Sequence, residues 1–149
     1  MGSIIKFVNF WVGRGYEKGE MQPFWLQFLR DVLNVAQPEK YIKFEVPVKL
    51  EHTKFIDDFF PVSKVIIEQK SLDKNLETVN AYEQAQKYIT GLPLSMHPKF
   101  IVACNFKEFL IYNMETLKTP QKILLEELPQ KFHAFDFLID TAKIKFALN

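Results

Sequence analysis

Two short apolar runs with a helical pattern between them constrain this chain more than any other feature. Val65-Ile-Ile67 leads into Glu68-Gln-Lys70, and Phe100–Cys104 is again continuously apolar. Runs of that length suit strands buried on both faces of a sheet. Between them, Leu76–Ile89 places Leu76, Val79, Tyr82 or Glu83, Gln86 and Ile89 on one side of a helix, closed by Gly91-Leu-Pro93. A strand, a helix and a further strand in one sheet form a right-handed crossover. Upstream, Phe24, Trp25, Phe28, Leu29, Val32 and Leu33 predict a helix over Met21–Val35, with Pro23 in its first turn. Ile4–Trp11 reads as a short helix stopped at Gly13-Arg-Gly15. Tyr41–Val48 alternates as a strand, with Ile42, Phe44 and Val46 on one side. Phe55–Phe60 and Val65–Lys70 are strands joined across Pro61–Lys64, and Phe109–Tyr112 pairs with Phe100–Cys104. Pro129 opens a last helix carrying Phe132, Phe135, Leu138, Ile139 and Ala142. The expected fold is therefore α/β, in the order helix, three strands, helix, two strands, helix.

Composition sets bounds on this reading. A chain of 149 residues, 48% hydrophobic and 25% charged, is one domain with a real core and excludes intrinsic disorder. Its 15 Phe imply an aromatic-heavy interior. Cys104 is the single cysteine, which excludes a disulfide framework, and His52, His97 and His133 have no ligand-like spacing for zinc. No apolar stretch approaches the roughly 20 residues that cross a bilayer, and the first residues lack the layout of a secretion signal. A cytoplasmic protein without membrane contact is expected. The apolar stripe of the last helix continues to Phe146 and Leu148 without a stop signal, the expectation for a piece of a longer polypeptide.

The chemistry concentrates between Phe55 and Ser71. Strand side chains alternate, so Glu68 and Lys70 project from one face and Gln69 from the other. Charges that end an apolar strand need a shared polar pocket or a sheet edge. A hairpin loop of two or four residues pairs Phe60 with Val65 and sets Asp57 opposite Glu68; an odd loop puts Asp58 there instead. Two facing carboxylates repel, and a hard divalent cation such as Mg²⁺ resolves that conflict. An acid followed by Glu-x-Lys on the next strand is the pattern of PD-(D/E)xK nucleases. In that chemistry the metal acts on the phosphate and its water, while a lysine ammonium orients the water and offsets developing charge.

Further residues cluster around this motif in sequence. Gln84 and Tyr88, at i and i+4 on the crossover helix, lie on one face near the end of the Glu68–Lys70 strand. They are candidates to contact a phosphate or to hold Lys70. Glu17 and Glu20 are candidate acidic contacts, or equally acids drawn to a helix N-terminus. Glu45 faces either the site or solvent.

These motifs recur together in one order: Phe7-Val-Asn-Phe-Trp11, Glu17-Lys-Gly-Glu-Met-Gln-Pro-Phe-Trp25, Phe44-Glu45, Ile56-Asp57, Ile66-Ile-Glu-Gln-Lys-Ser71, Glu83-Gln-Ala85 with Tyr88, and Cys104-Asn-Phe106. As an ensemble they resemble the N-terminal nuclease domain of MmeI-like restriction-modification enzymes, over nearly the whole chain. The resemblance implies the αβββαβ core of PD-(D/E)xK nucleases, with a mixed central sheet flanked by helices. It implies a type II restriction endonuclease-like, Mg²⁺-dependent hydrolase that cuts double-stranded DNA at a distance from its recognition sequence. Such enzymes are bacterial polypeptides of phage defence that join the nuclease to a helical spacer, an adenine methyltransferase and a target-recognition domain.

Carried over by position, the catalytic set is Asp57, Glu68 and Lys70, with Gln84 as the helix Gln and Glu17 as the leading acid. The expected metal ligands are Asp57, Glu68 and the backbone carbonyl of Gln69, with Asp58 as the alternative acid. Mn²⁺ should substitute for Mg²⁺, neither binding tightly. S-adenosylmethionine would serve the methyltransferase domain alone, since its signatures are absent here. With net charge +1, the chain alone is expected to bind DNA poorly, the remaining domains supplying most phosphate contacts. Two alternatives differ in class: a catalytically silent nuclease fold used for DNA docking or assembly, and a nuclease for branched or damaged DNA.

Overall fold

The computed structural model describes residues 2–77, 80–116 and 119–139. Its centre is a six-stranded sheet in sequential order, β1 (Lys43–Lys49), β2 (Thr53–Phe60), β3 (Val65–Gln69), β4 (Phe100–Cys104), β5 (Glu108–Asn113) and β6 (Gln121–Leu124). β3 and β4 run parallel and every other neighbouring pair is antiparallel. The parallel pair is bridged by α3 (Ala81–Ile89), the crossover that the two apolar runs demand. The fold is thus α/β with a mixed sheet flanked by helices.

Alternation in β3 divides the molecule into two layers. Val65 and Ile67 face α1 (Gly2–Trp11), α2 (Glu17–Gln27) and the C-terminal segment, whereas Ile66 faces α3. The first layer is a continuous block of rings. Phe24 lies 5.2 Å from Phe7, 5.1 Å from Trp11, 5.3 Å from Trp25 and 5.0 Å from Phe106 between centroids. Such tilted and edge-on contacts add to the area each ring buries. Most of the buried phenylalanines therefore lie on one face of the sheet, and the α3 face, which holds Phe59, is smaller and mainly aliphatic.

Several elements differ from the sequence expectation, each for a local reason. α2 begins at Glu17 rather than Met21, so Pro23 sits inside it, where the ring removes an N–H and crowds the carbonyl of Gly19. The helix then widens into a π-helical turn, Phe28–Val32, and stops at Asn34, whose φ of 60° lies in the left-handed region that Asn tolerates. α3 starts at Ala81 because Asn80, with φ 53°, occupies the same conformation. Val79, in the expected stripe, lies outside the described residues, as do Ala142, Phe146 and Leu148. β6 was not foreseen: Ile123 is its one buried residue, too little pattern to mark a strand. After one α-turn (α4, Leu128–Lys131), the chain adopts a 3₁₀-helix, Phe132–Leu138. Phe132, Phe135 and Leu138 recur every three residues, which fits three residues per turn and lines the apolar side chains up. Among the described residues no helix is long and apolar enough to cross a membrane.

One glycine ties the N-terminal helices to the sheet. At Gly15, with φ 146°, a Cβ would come within 2.3 Å of the Phe106 ring, which is fully buried. The Gly15 carbonyl accepts from Leu72 N–H at 3.0 Å, and Ser71 Oγ accepts from Glu17 N–H at 2.9 Å. This junction sets the start of α2 against the exit of β3. Gly15→Ala combines a disfavoured φ with overpacking, and is expected to destabilise by about 3 kcal/mol in urea denaturation. A variant as stable as wild type would show that Phe106 can move aside freely.

Candidate active site

The β2–β3 loop has four residues, so the register is the even one: Phe60 pairs with Val65, Phe59 with Ile66 and Asp58 with Ile67. Ladder pairing ends one step before Asp57 and Glu68. There the Asp57 carboxylate takes over, accepting the Gln69 backbone N–H at 2.7 Å. On the other side, β1–β2 pairing runs through Phe44 and Asp58, skips Glu45 and Asp57, and resumes at Val46 and Ile56. Glu45 stands at φ 53°, uncommon for a residue with a side chain. The irregularity resets the alternation. Ile42 and Phe44 pack on the aromatic face, but Val46 and Val48 pack on the α3 face. The expected common side for Phe44 and Val46 does not form, because the kink at Glu45 turns the strand over.

Asp58 and Asp57 consequently have different surroundings. Asp58 shares a face with its partners Phe44 and Ile67 on the aromatic side, fully buried, with neither carboxylate oxygen bonded. Burial, then the charges of Asp57 and Glu68, raise its pKa well above the carboxylate range. Asp57 is partly accessible and feels the charges of Glu17, Lys70 and Glu45, while its own charge acts on Glu68. Burial pushes Asp57 up to about 6, against the pull of the Gln69 N–H. Glu68, 3% exposed, is pushed up to about 8, first by burial and next by the Asp57 charge, while Lys70 opposes the rise.

Lys70 is fixed from two directions. Its Nζ donates to Gln84 Oε1 at 2.5 Å and lies 3.5 Å from Glu68 Oε1. An ammonium has three donors, so one remains for a further partner. Glu68 Oε2 is buried and has no bonded partner. Tyr88 lies beside Glu68; burial, then the Glu68 and Asp57 charges, keep its phenol protonated well above the usual range. Glu17 belongs to the same charge cluster, acting on Asp57, Glu68 and Tyr88. Glu20 does not: its Oε1 accepts from Tyr16 N–H at 3.0 Å, a cap on its own helix. Among the described residues no three His, Cys, Asp or Glu side chains converge as a ready-made metal cage.

The sequence reading missed what lies beneath the motif. Gln69 points into the aromatic layer, where its Oε1 accepts from Trp25 Nε1 at 2.7 Å and its Nε2 donates to the Lys70 carbonyl at 3.1 Å. One buried amide thus links α2 to the strand end that carries Glu68, Lys70 and the Asp57-holding N–H. An indole that needs a partner and a buried amide were both visible in sequence, but nothing in the spacing paired them. Trp25→Phe keeps the ring and deletes the donor, leaving Gln69 Oε1 unpaired. It is expected to cost about 1–3 kcal/mol, much of it recovered by adding Gln69→Leu. A urea double-mutant cycle measures this, and strictly additive losses would mean that the bond contributes nothing.

A family model described as MmeI, N-terminal domain, matches residues 3–148. No curated protein and no solved structure matches the chain.

Proposed function

The chain belongs to the MmeI N-terminal domain family, a restriction-enzyme-related domain, and we propose that it is the Mg²⁺-dependent endonuclease domain of a fused restriction-methyltransferase enzyme. The observation that carries this reading is Glu68: buried, with Oε2 unbonded, beside Asp57 and beside a lysine held by Gln84. A protein that needed these groups for stability alone would have bonded that oxygen or replaced the acids with apolar residues.

The donor set fits a hard, weakly held cation. Asp57, Glu68 and the Gln69 backbone carbonyl would hold Mg²⁺, or Mn²⁺ in its place, with waters completing the shell. When bound, the ion would polarise the scissile phosphate and make a nearby water more acidic. The protein's own residues do the rest. Gln84 fixes the Lys70 ammonium, whose free N–H orients the attacking water and offsets negative charge on the phosphorane. Glu68 holds Lys70 from the other side. Tyr88 stays protonated and presents an O–H donor, and Glu17 adds negative charge that favours a cation. Double-stranded DNA is the substrate, and the target-recognition and methyltransferase domains of the same polypeptide would supply sequence choice and, with S-adenosylmethionine, protection.

Calorimetric titration with Mn²⁺ and plasmid cleavage with Mg²⁺ test this together. Wild type should bind the ion weakly and convert supercoiled plasmid to open or linear forms, and Glu68→Ala should do neither. Undiminished ion binding by Glu68→Ala would overturn the assignment.

A further inference from the structure

A groove of about 160 Å³ opens beside the candidate active site, between α3 and the β1–β2 hairpin, lined by Leu50, Lys54, Gln84, Lys87 and Tyr88. It begins at Gln84, which holds Lys70, and at Tyr88, next to Glu68. Gln84, Lys87 and Tyr88 share one helix face at i, i+3 and i+4. Lys54 stands opposite Val48, on the α3 side of the sheet. At the far end the helix exit is clamped to the hairpin, since a Cβ on Gly91 would fall 2.6 Å from Val48 Cγ1 and 2.8 Å from the Lys49 carbonyl.

The lining is chemically one-sided. Lys54 and Lys87 are both exposed, and among the described residues neither lies within ion-pairing distance of a carboxylate. No carboxylate lines the groove; Glu83, one turn before Lys87 on α3, and Glu51, in the β1–β2 loop, lie outside its lining. Two unpaired ammonium groups, a phenol, an amide and one aliphatic side chain suit an anion carried on an organic backbone. A groove of about 160 Å³ has room for a small anionic group together with ordered water.

We propose that this groove binds a backbone phosphate adjoining the scissile one on duplex DNA, with Lys54 and Lys87 as its cationic contacts. The proposal rests on the nuclease reading above and adds where the cut strand runs: along α3 from Lys70 toward the hairpin. It also explains how a chain of net charge +1 can present local positive charge to DNA.

Fluorescence anisotropy of a labelled DNA duplex, read with Ca²⁺ across a low-salt series, tests the groove on the full chain. Lys54→Ala and Lys87→Ala should each reduce the slope of log affinity against log salt by about 0.9, and the double variant by about twice that. Lys131→Ala, whose lysine pairs with Glu127 at 2.7 Å and does not line the groove, serves as the control with an unchanged slope. An unchanged slope in the double variant overturns the groove, as does tighter binding of an RNA duplex or no measurable wild-type binding at the lowest salt. Plasmid cleavage by wild type and Lys70→Ala separates the two failures. If Lys70→Ala is inactive and the slopes do not move, the groove alone fails. If both proteins cut equally, the nuclease reading fails whatever the slopes show.

Discussion

Lys70→Ala is expected to slow Mg²⁺-dependent cleavage of supercoiled plasmid by about 10²–10³-fold, the usual cost of one electrostatic donor aimed at developing charge. Divalent-ion binding should survive the change. Lys70 meets Gln84 and Glu68, and on the proposed reading it is not a ligand and turns its third N–H to the reacting groups. Its contribution would therefore grow as charge builds on the phosphorane, so the loss should fall on the rate of chemistry. Glu68→Ala should behave differently, losing ion binding and cleavage together. Gln84→Ala, which frees the ammonium without removing it, should fall between wild type and Lys70→Ala. Equal cleavage by wild type, Lys70→Ala and Glu68→Ala would leave a silent nuclease fold, with a contaminating activity, as the better account.

The legible part of this site was its topology. The hairpin across Pro61–Lys64 and the alternation of β3 follow from apolar runs and turn residues, and they bring Glu68, Lys70 and one of Asp57 and Asp58 near one another. Helical spacing brought Gln84 to the same place. What stayed hidden depends on exceptions to those patterns. The left-handed Glu45 has no sequence mark, yet it interrupts β1–β2 pairing opposite Asp57 and turns Val46 to the other face. Asn80 shortens α3, and Asn34 ends the wide turn after α2, each through a left-handed residue that periodicity does not register. Trp25 and Gln69 meet across 44 positions of sequence, beyond any local rule. The tandem Asp57-Asp58 could be divided only by the observed register. Asp58 goes to the aromatic face with both oxygens unbonded, and Asp57 goes to the charged cluster.

The same burial that raises the Asp57 and Glu68 pKa values makes the metal-free protein sensitive to alkali. Both acids have folded values above their ordinary ones, about 6 against 3.8 for Asp57 and about 8 against 4.5 for Glu68. The folded state therefore holds protons that the unfolded chain has released. Stability is greatest below the ordinary carboxylate values and is lost as pH rises toward the folded ones. Asp58, raised by burial first, adds to the loss in the same direction. Between about pH 5 and 8 each group still protonated in the folded state costs roughly 1.4 kcal/mol per pH unit. For a chain of this size, that corresponds to a melting temperature falling by about 4 °C per pH unit in EDTA. On the proposed reading Mg²⁺ would act in the opposite direction, since it would bind the ionised acids and only in the folded state. Its stabilising effect should therefore grow across the same pH window. Glu68→Gln removes the wider of the Asp57 and Glu68 gaps, and should flatten the EDTA profile most clearly between about pH 6 and 8. It should also abolish most of the Mg²⁺ shift. Scanning calorimetry across this range decides the matter: a metal-free profile that is flat, or that rises with pH, would place these carboxylates in water rather than in a buried, metal-ready pair.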